Sequence, residues 1–372
     1  MLFKNVVGQE ELKSDLIREI KADKISHAQL FSGKLGFGGL PMALAFTQYL
    51  FCEDKGEEDS CGKCSSCLKI NDLQHPDLHF VFPVVQAIGK VSTLFLESWR
   101  KQLKQNTYFN LFDWTQKMDS KERKPIIGIE ESKEILRKLS FKAYEGGYKV
   151  MIIWLPEEMN QESANKLLKI LEEPPVNTVF LLVAENPDKL LMTIRSRTQL
   201  VRIPKINAES LSTFIGHHFK LDRIQADSIA AFAEGDLIRA LEFINTNSEK
   251  DIYRDLFIQM MRVSYKKDVI GMLNWAERIA GEGKERHKLY LVYSLHMFRQ
   301  SLMNNYVGGH MLRVSAEEEQ FLKNFAPFIS GNNIREFMET FDQAYFHIDR
   351  NANSKILFTQ LCFQTMRYIH QA

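Results

Sequence analysis

Cysteine, an excess of charge of either sign, and long apolar runs are all scarce in this sequence of 372 residues. Its five cysteines, four of them between positions 52 and 67, are too few and too bunched for the disulfide framework of a secreted chain. The 48 basic and 47 acidic side chains leave a formal charge of +1, which excludes a coat for nucleic acid built on bulk charge but not a local basic face. No run reaches the roughly 18 apolar residues that a membrane span needs. The opening Met1-Leu2-Phe3-Lys4-Asn5 lacks the basic-then-apolar layout of a signal peptide. A soluble, cytoplasmic protein with no membrane partner is expected. With 45% hydrophobic and 26% charged residues the composition is that of an ordinary globular protein, and the length suits two or three domains.

What is present begins with alternating helix and strand. Leu12, Leu16, Ile17 and Ile20 give Glu10 to Ala22 a helical spacing. Ala28 to Ser32 reads as a short strand running into the glycine-rich stretch Gly33 to Gly39, and Pro41 to Cys52 as the helix that follows. Tyr148 to Leu155 and Val179 to Ala184 are continuous apolar runs, as in strands buried on both faces, and Leu200 to Ile203 is a third, shorter one. Between them Glu162 to Leu171 is helical and must stop before Pro174-Pro175. Strands separated by helices imply a parallel α/β sheet over 1–205. The polar, amphipathic stretch 86–124, helical over Leu94 to Lys104, reads as an insertion with no assigned role. After Pro204 strand signals fade. Residues 206–248 read as a small helical unit with a turn at Gly235-Asp236, and 250–372 as helical with breaks at Gly308-Gly309 and Gly331-Asn332-Asn333.

Cys52, Cys61, Cys64 and Cys67 supply four soft ligands with two overlapping Cys-x2-Cys pairs, the spacing from which tight turns present thiolates to tetrahedral Zn²⁺. Four sulfurs close the coordination shell, so the expected ion is structural; unliganded thiols or a redox dithiol are the alternatives. Cys362, on an apolar helix face, reads as a small core residue.

Gly33-Lys34-Leu35-Gly36-Phe37-Gly38-Gly39-Leu40 lies where a phosphate loop would, between strand and helix, and keeps the framework glycines Gly33 and Gly38. Gly39 replaces the lysine that reaches the β- and γ-phosphates, and Leu40 replaces the hydroxyl that holds Mg²⁺. At the end of the Val150–Ile153 strand, Trp154 and Leu155 stand where a metal-holding Asp and a catalytic Glu belong. Glu157 and Glu158 come too late, beyond Pro156. Two sets of catalytic groups are missing from one scaffold, so neither nucleotide binding nor hydrolysis is expected.

Val7-Gly8-Gln9-Glu10, Ile25-Ser26-His27-Ala28, the four-cysteine knuckle, Asn165 to Pro175, Asn186 to Leu191 and Thr193 to Thr198 together resemble the bacterial clamp-loader branch of the AAA+ superfamily. With its phosphate loop stripped, the chain is most similar to the delta-prime family of DNA polymerase III subunits. The resemblance covers about 1–245 clearly and the C-terminal helices loosely. It implies an AAA+ parallel-sheet domain over 1–205 with an inserted zinc knuckle at about 50–70, then a helical lid domain over 206–248. An all-α collar domain that mediates oligomerisation would follow over 249–372, with Asn351 to Lys355 resembling the family's Arg-Asn-x-Asn segment. The resemblance implies that Arg197 is an arginine finger reaching the ATP of a neighbouring subunit, with Thr198 where the family has Cys. A planar guanidinium suits that role and a lysine does not. Arg239 occupies the sensor-2 position of the resemblance. Implied partners are the delta and gamma/tau subunits and, through the complex, the sliding clamp and primed DNA.

Two other readings remain. An active, gamma/tau-like ATPase is opposed by Gly39, Leu40, Trp154 and Leu155. A zinc-knuckle nucleic-acid-binding protein is opposed by the neutral charge and by the acidic run Glu53 to Asp59, which repels phosphate.

Overall fold

The computed structural model describes residues 1–119, 123–145, 147–245, 250–307, 316–350 and 352–371. The Gly308-Gly309 break, the boundary at 248–249 and Asn351 lie outside the described residues. The chain divides into two compact units, Met1–Phe214 with Glu234–Arg239, and Ile215–Ala233 with Ala240–Ala372. Among the described residues no helix is long and apolar enough to cross a membrane.

The first unit is built on a five-stranded parallel sheet of β1 (Ala28–Ser32), β2 (Leu78–Val81), β3 (Lys149–Trp154), β4 (Thr178–Ala184) and β5 (Gln199–Arg202), in the order β2-β3-β4-β1-β5. Every residue of β3 and β4 is buried, as unbroken apolar runs demand. They pair from Lys149 opposite Thr178 to Trp154 opposite Val183. β5 forms one edge and buries only Val201. β2, the opposite edge, is a strand that the sequence pattern does not announce, since four residues interrupted by His79 give no usable period.

Side chains of successive strand residues alternate between the two faces. Leu30, Met151, Ile153, Phe180 and Leu182 share one core with α6 (Ile129–Ser140) and α7 (Gln161–Glu172), through Ile135, Leu139, Leu167 and Leu171. Asn160 starts α7 by accepting the Ser163 N–H at 2.9 Å, and the helix ends at Glu172, ahead of Pro174-Pro175. The other strand residues face α2 (Gly39–Phe51), apolar almost all round and buried along its length until Phe51. α2 begins two residues earlier than the sequence pattern implies. Gly38 turns the chain at φ 98°, and Pro41 sits in the first turn, where its missing N–H has no partner to lose. α1 (Glu10–Lys21) and the short α3 (Ser65–Asn71) precede β2. The insertion folds as a 3-10 turn, Ser92–Phe95, then α4 (Leu96–Gln105) and α5 (Leu111–Met118), and the four-residue α8 (Met192–Arg195) leads into β5.

α9 (Ala208–Phe219), α10 (Arg223–Ala233) and α11 (Leu237–Asn245) are followed by α12 (Lys250–Tyr265), α13 (Val269–Ala280), α14 (Lys284–Val307), α15 (Ala316–Phe325), α16 (Ile334–Asp349) and α17 (Ser354–Ile369). The second unit has its own core, around Phe257, Met260, Trp275, Tyr290, Phe298 and Phe341. Asn333 explains the break before α16: its buried amide donates to the Phe328 carbonyl at 2.9 Å and to that of Tyr368 at 3.0 Å. Cys362 lies in this core, where burial pushes its thiol up to about 12.

Candidate functional site: a glycine-rich turn, a cysteine cluster and two arginines

β1 lies between β4 and β5, so the loop that leaves it opens at the switch point of the sheet, where open parallel sheets take their ligands. Gly33 anchors that loop by donating to the Ala184 carbonyl at 3.2 Å. The chain then makes a 3-10 turn, Leu35–Phe37, passes through Gly38 and enters α2. The order of strand, glycine-rich turn and helix is that of a phosphate loop, with the first N–H groups of α2 at the turn. Its side chains are not: Gly39 contributes none, and Leu40 is buried in the core. Gly36 leaves no room for a side chain either. A Cβ there would fall 1.7 Å from Oδ1 of Asp236, a half-buried carboxyl whose pKa desolvation raises.

The strand-end half of the site is apolar. Trp154 and Leu155 are 1% and 3% exposed. The Trp154 ring lies 5.3 Å from that of Trp99 and 5.0 Å from that of Phe109. Trp99 stacks on Phe82 at 4.2 Å and meets Trp114 edge-on at 5.0 Å. The carboxylates that follow are engaged elsewhere. Glu157 accepts the backbone N–H groups of Glu185 and Asn186 at 2.7 and 2.8 Å, and burial pushes its carboxyl up to about 7. Glu158 pairs with Lys124 at 3.1 Å.

Trp99, Phe109 and Trp114 all come from the stretch 86–124, and Tyr108 of the same stretch is buried beside the phosphate loop. These residues were not singled out by sequence reasoning, although five aromatics within sixteen positions of a stretch read as polar was the available signal.

The four cysteines do converge: their sulfurs lie within 4.8 Å of one another. Zn–S bonds of about 2.3 Å in a tetrahedron require sulfurs roughly 3.8 Å apart, so a small closure suffices. The chain also treats the sulfurs as acceptors, with the Cys61 N–H donating to Cys52 Sγ and the Cys64 N–H to Cys61 Sγ, both at 3.3 Å. Backbone N–H groups of Lys63 and Cys64 pull the Cys61 thiol down to about 7, whereas burial pushes Cys67 up to about 12. A cation among them would offset that second cost, so the donor set fits a metal ion.

Arg197 lies on the turn between α8 and β5. Its guanidinium donates to the Thr193 carbonyl at 3.0 Å, pairs with Glu172 at 2.6 Å and remains 35% exposed. Arg239, on α11, lies 3.7 Å from the Glu234 carboxylate.

A family model for DNA polymerase III, delta subunit, matches residues 8–207. The chain belongs to this family. It is 31% identical to the DNA polymerase III subunit delta' of Bacillus subtilis over 196 residues, 53% of this chain and 47% of that one. It is 33% identical to the Yersinia pestis subunit delta' over 46% of this chain and 39% of the relative. It is also 26% identical to the Escherichia coli subunit tau over 64% of this chain and 32% of the relative. The chain thus spans about half the length of the delta' relatives, or less. The match takes in the cysteine cluster, the phosphate loop, the strand end and Arg197, and stops short of Arg239. The parallel sheet, the converging cysteines and the helical C-terminal region agree with the fold expected from the resemblance.

Proposed function

We propose that this clamp-loader-family chain is a non-hydrolysing, delta-prime-like subunit of the DNA polymerase III clamp loader. In this role it assembles with delta and gamma/tau subunits, helps place the sliding clamp on primed DNA, and lends Arg197 to the ATP of a neighbouring subunit. The observation that carries the reading is a phosphate-binding scaffold whose four chemical positions are Gly39, Leu40, Trp154 and Leu155. Without an ammonium, a hydroxyl or an acid, nothing there offsets the charge of a phosphoryl group in transfer. A partly exposed guanidinium on a short turn supports the finger, since it can exchange its exposed ion pair with Glu172 for a γ-phosphate at small cost. Arg239 is assigned a structural role, with no nucleotide of its own to sense. Zinc is the ion proposed for Cys52, Cys61, Cys64 and Cys67, where it would cross-link the end of α2 to the start of α3. A cytoplasmic setting follows from this function.

The test is a loader reconstituted with its own partner subunits and carrying Arg197→Ala. Assembly is expected to be unchanged. Hydrolysis should slow at the one site this subunit faces, a partial loss in total, although fingers contribute on the order of 10³–10⁵ at their own site. Arg197→Lys should behave as Ala does. Wild-type hydrolysis and clamp-loading rates in the Ala variant would overturn the assignment. Similarity to tau subunits favours a second reading, an active ATPase, which turnover by the isolated chain would establish.

A further inference from the structure

The stretch 86–124 places two consecutive side chains in the two halves of the lapsed phosphate site. Tyr108 sits over the loop: a Cβ on Gly38 would point at its hydroxyl, 3.1 Å away, and at its ring edge at 3.3 Å. The same hydroxyl accepts the Val7 N–H at 3.1 Å, so the ring is pinned on both sides. Phe109 turns the other way and packs on Trp154, where a metal-holding acid would stand. The short segment carrying them is braced. The Asn106 side chain accepts the Tyr108 N–H at 2.8 Å and donates to the Tyr108 carbonyl at 2.6 Å. Asn110 then caps α5, accepting the Asp113 N–H at 2.9 Å while Asp113 accepts the Asn110 N–H at 3.1 Å.

We infer that residues 106–110 are a built-in plug, with Tyr108 and Phe109 occupying the space over the phosphate loop and strand end that a nucleoside triphosphate and its metal would take. The inference rests on reading this loop as a lapsed phosphate site and adds that the cleft is closed by the chain itself. Phosphates bind such a loop through its backbone N–H groups and the positive end of the helix. That approach is blocked here by an aromatic ring buried to 6% exposure. The space toward the metal position is filled by rings, which offer no ligand to a hard cation. Loss of the catalytic residues and closure of the cleft are therefore two separate barriers, and replacing the residues removes only one.

The test uses the full chain, Mg²⁺ and a fluorescent ATP analogue, and compares Gly39→Lys/Leu40→Thr with the same pair plus Tyr108→Ala/Phe109→Ala. The first variant is expected to leave the analogue unbound. The second, confirmed as folded by circular dichroism, is expected to bind it at least about tenfold more tightly, the smallest gain that counts as opening. Equal binding by both, or by neither, overturns the plug. Hydrogen exchange on the unaltered chain supplies a measure free of mutation: residues 33–40 and 106–110 are expected to exchange slowly, with no change in millimolar Mg-ATP. Rapid exchange over 106–110 overturns the plug. Binding of Mg-ATP by the unaltered chain would overturn the non-hydrolysing reading as well, whereas binding by Gly39→Lys/Leu40→Thr with the plug intact would overturn the plug alone.

Discussion

Placing an acid at the end of β3 is expected to destabilise the first unit by several kcal/mol. Trp154→Asp removes a side chain that is 1% exposed and packed against Trp99 and Phe109. Truncating a buried Trp costs about 3–5 kcal/mol. A carboxylate surrounded by rings must then stay protonated. Holding it neutral at pH 7 against an unfolded pKa near 4 costs about 4 kcal/mol, at about 1.4 kcal/mol per unit. One term works in the opposite direction: Trp154 Nε1 is buried with no partner among the described residues, and losing it offsets about 1–3 kcal/mol. The net is about 4–8 kcal/mol, against total stabilities of about 5–15 for a domain. With a urea slope of about 2–3 kcal/mol/M, the unfolding midpoint of this unit drops by about 1.5–4 M. Fluorescence of Trp99 and Trp114 reports the first unit, while Trp275 reports the second. The introduced carboxyl has a raised folded pKa, so its penalty is absent below about pH 4 and grows as pH rises, and the gap from wild type must narrow in acid. Trp154→Phe, which keeps a ring, should cost only about 0.5–3 kcal/mol. A Trp154→Asp midpoint within about 0.3 M of wild type at pH 7 would refute the view that the rings have closed this site.

Metal analysis of protein purified without chelator is expected to give one zinc per chain. Cys61→Ser should abolish most of it and raise hydrogen exchange over 50–72 far more than elsewhere; full zinc in that variant would count against the four-sulfur site. Glu157 carries a pH dependence of its own. Its carboxyl is pushed up to about 7 in the folded chain by burial, so the folded state holds a proton that the unfolded state has lost. Stability of the first unit should therefore fall between about pH 4.5 and 7 and level off above, by about 1–3 kcal/mol, and Glu157→Gln should flatten the profile. Urea titrations at pH 5 and pH 8 check this, and an equal slope in both proteins would rule it out.

Much of the candidate site could be read without coordinates because its logic is local. A strand, a glycine turn and a helix are consecutive in the chain, so the vacancy at Gly39 and Leu40 and the acids missing at Trp154 and Leu155 are visible from position alone. The cysteine spacing is likewise local, and the sulfurs do gather. The long apolar runs announced β3 and β4 because a strand buried on both faces has no other composition available to it. The edge strand β2, four residues long, carried no such signature.

What only the tertiary structure decided is where the insertion goes. Its amphipathic pattern says that one face is buried but not against what, since periodicity records a face and not its partner. That Tyr108 lies over Gly38, and Phe109 on Trp154, depends on contacts across 70 and 45 positions of sequence. The same holds for Asp236 against Gly36, and for the Glu172 carboxylate that holds Arg197. Side-chain identity determined which groups stand at the glycine turn and the strand end; the packing of distant segments decided what lies against them.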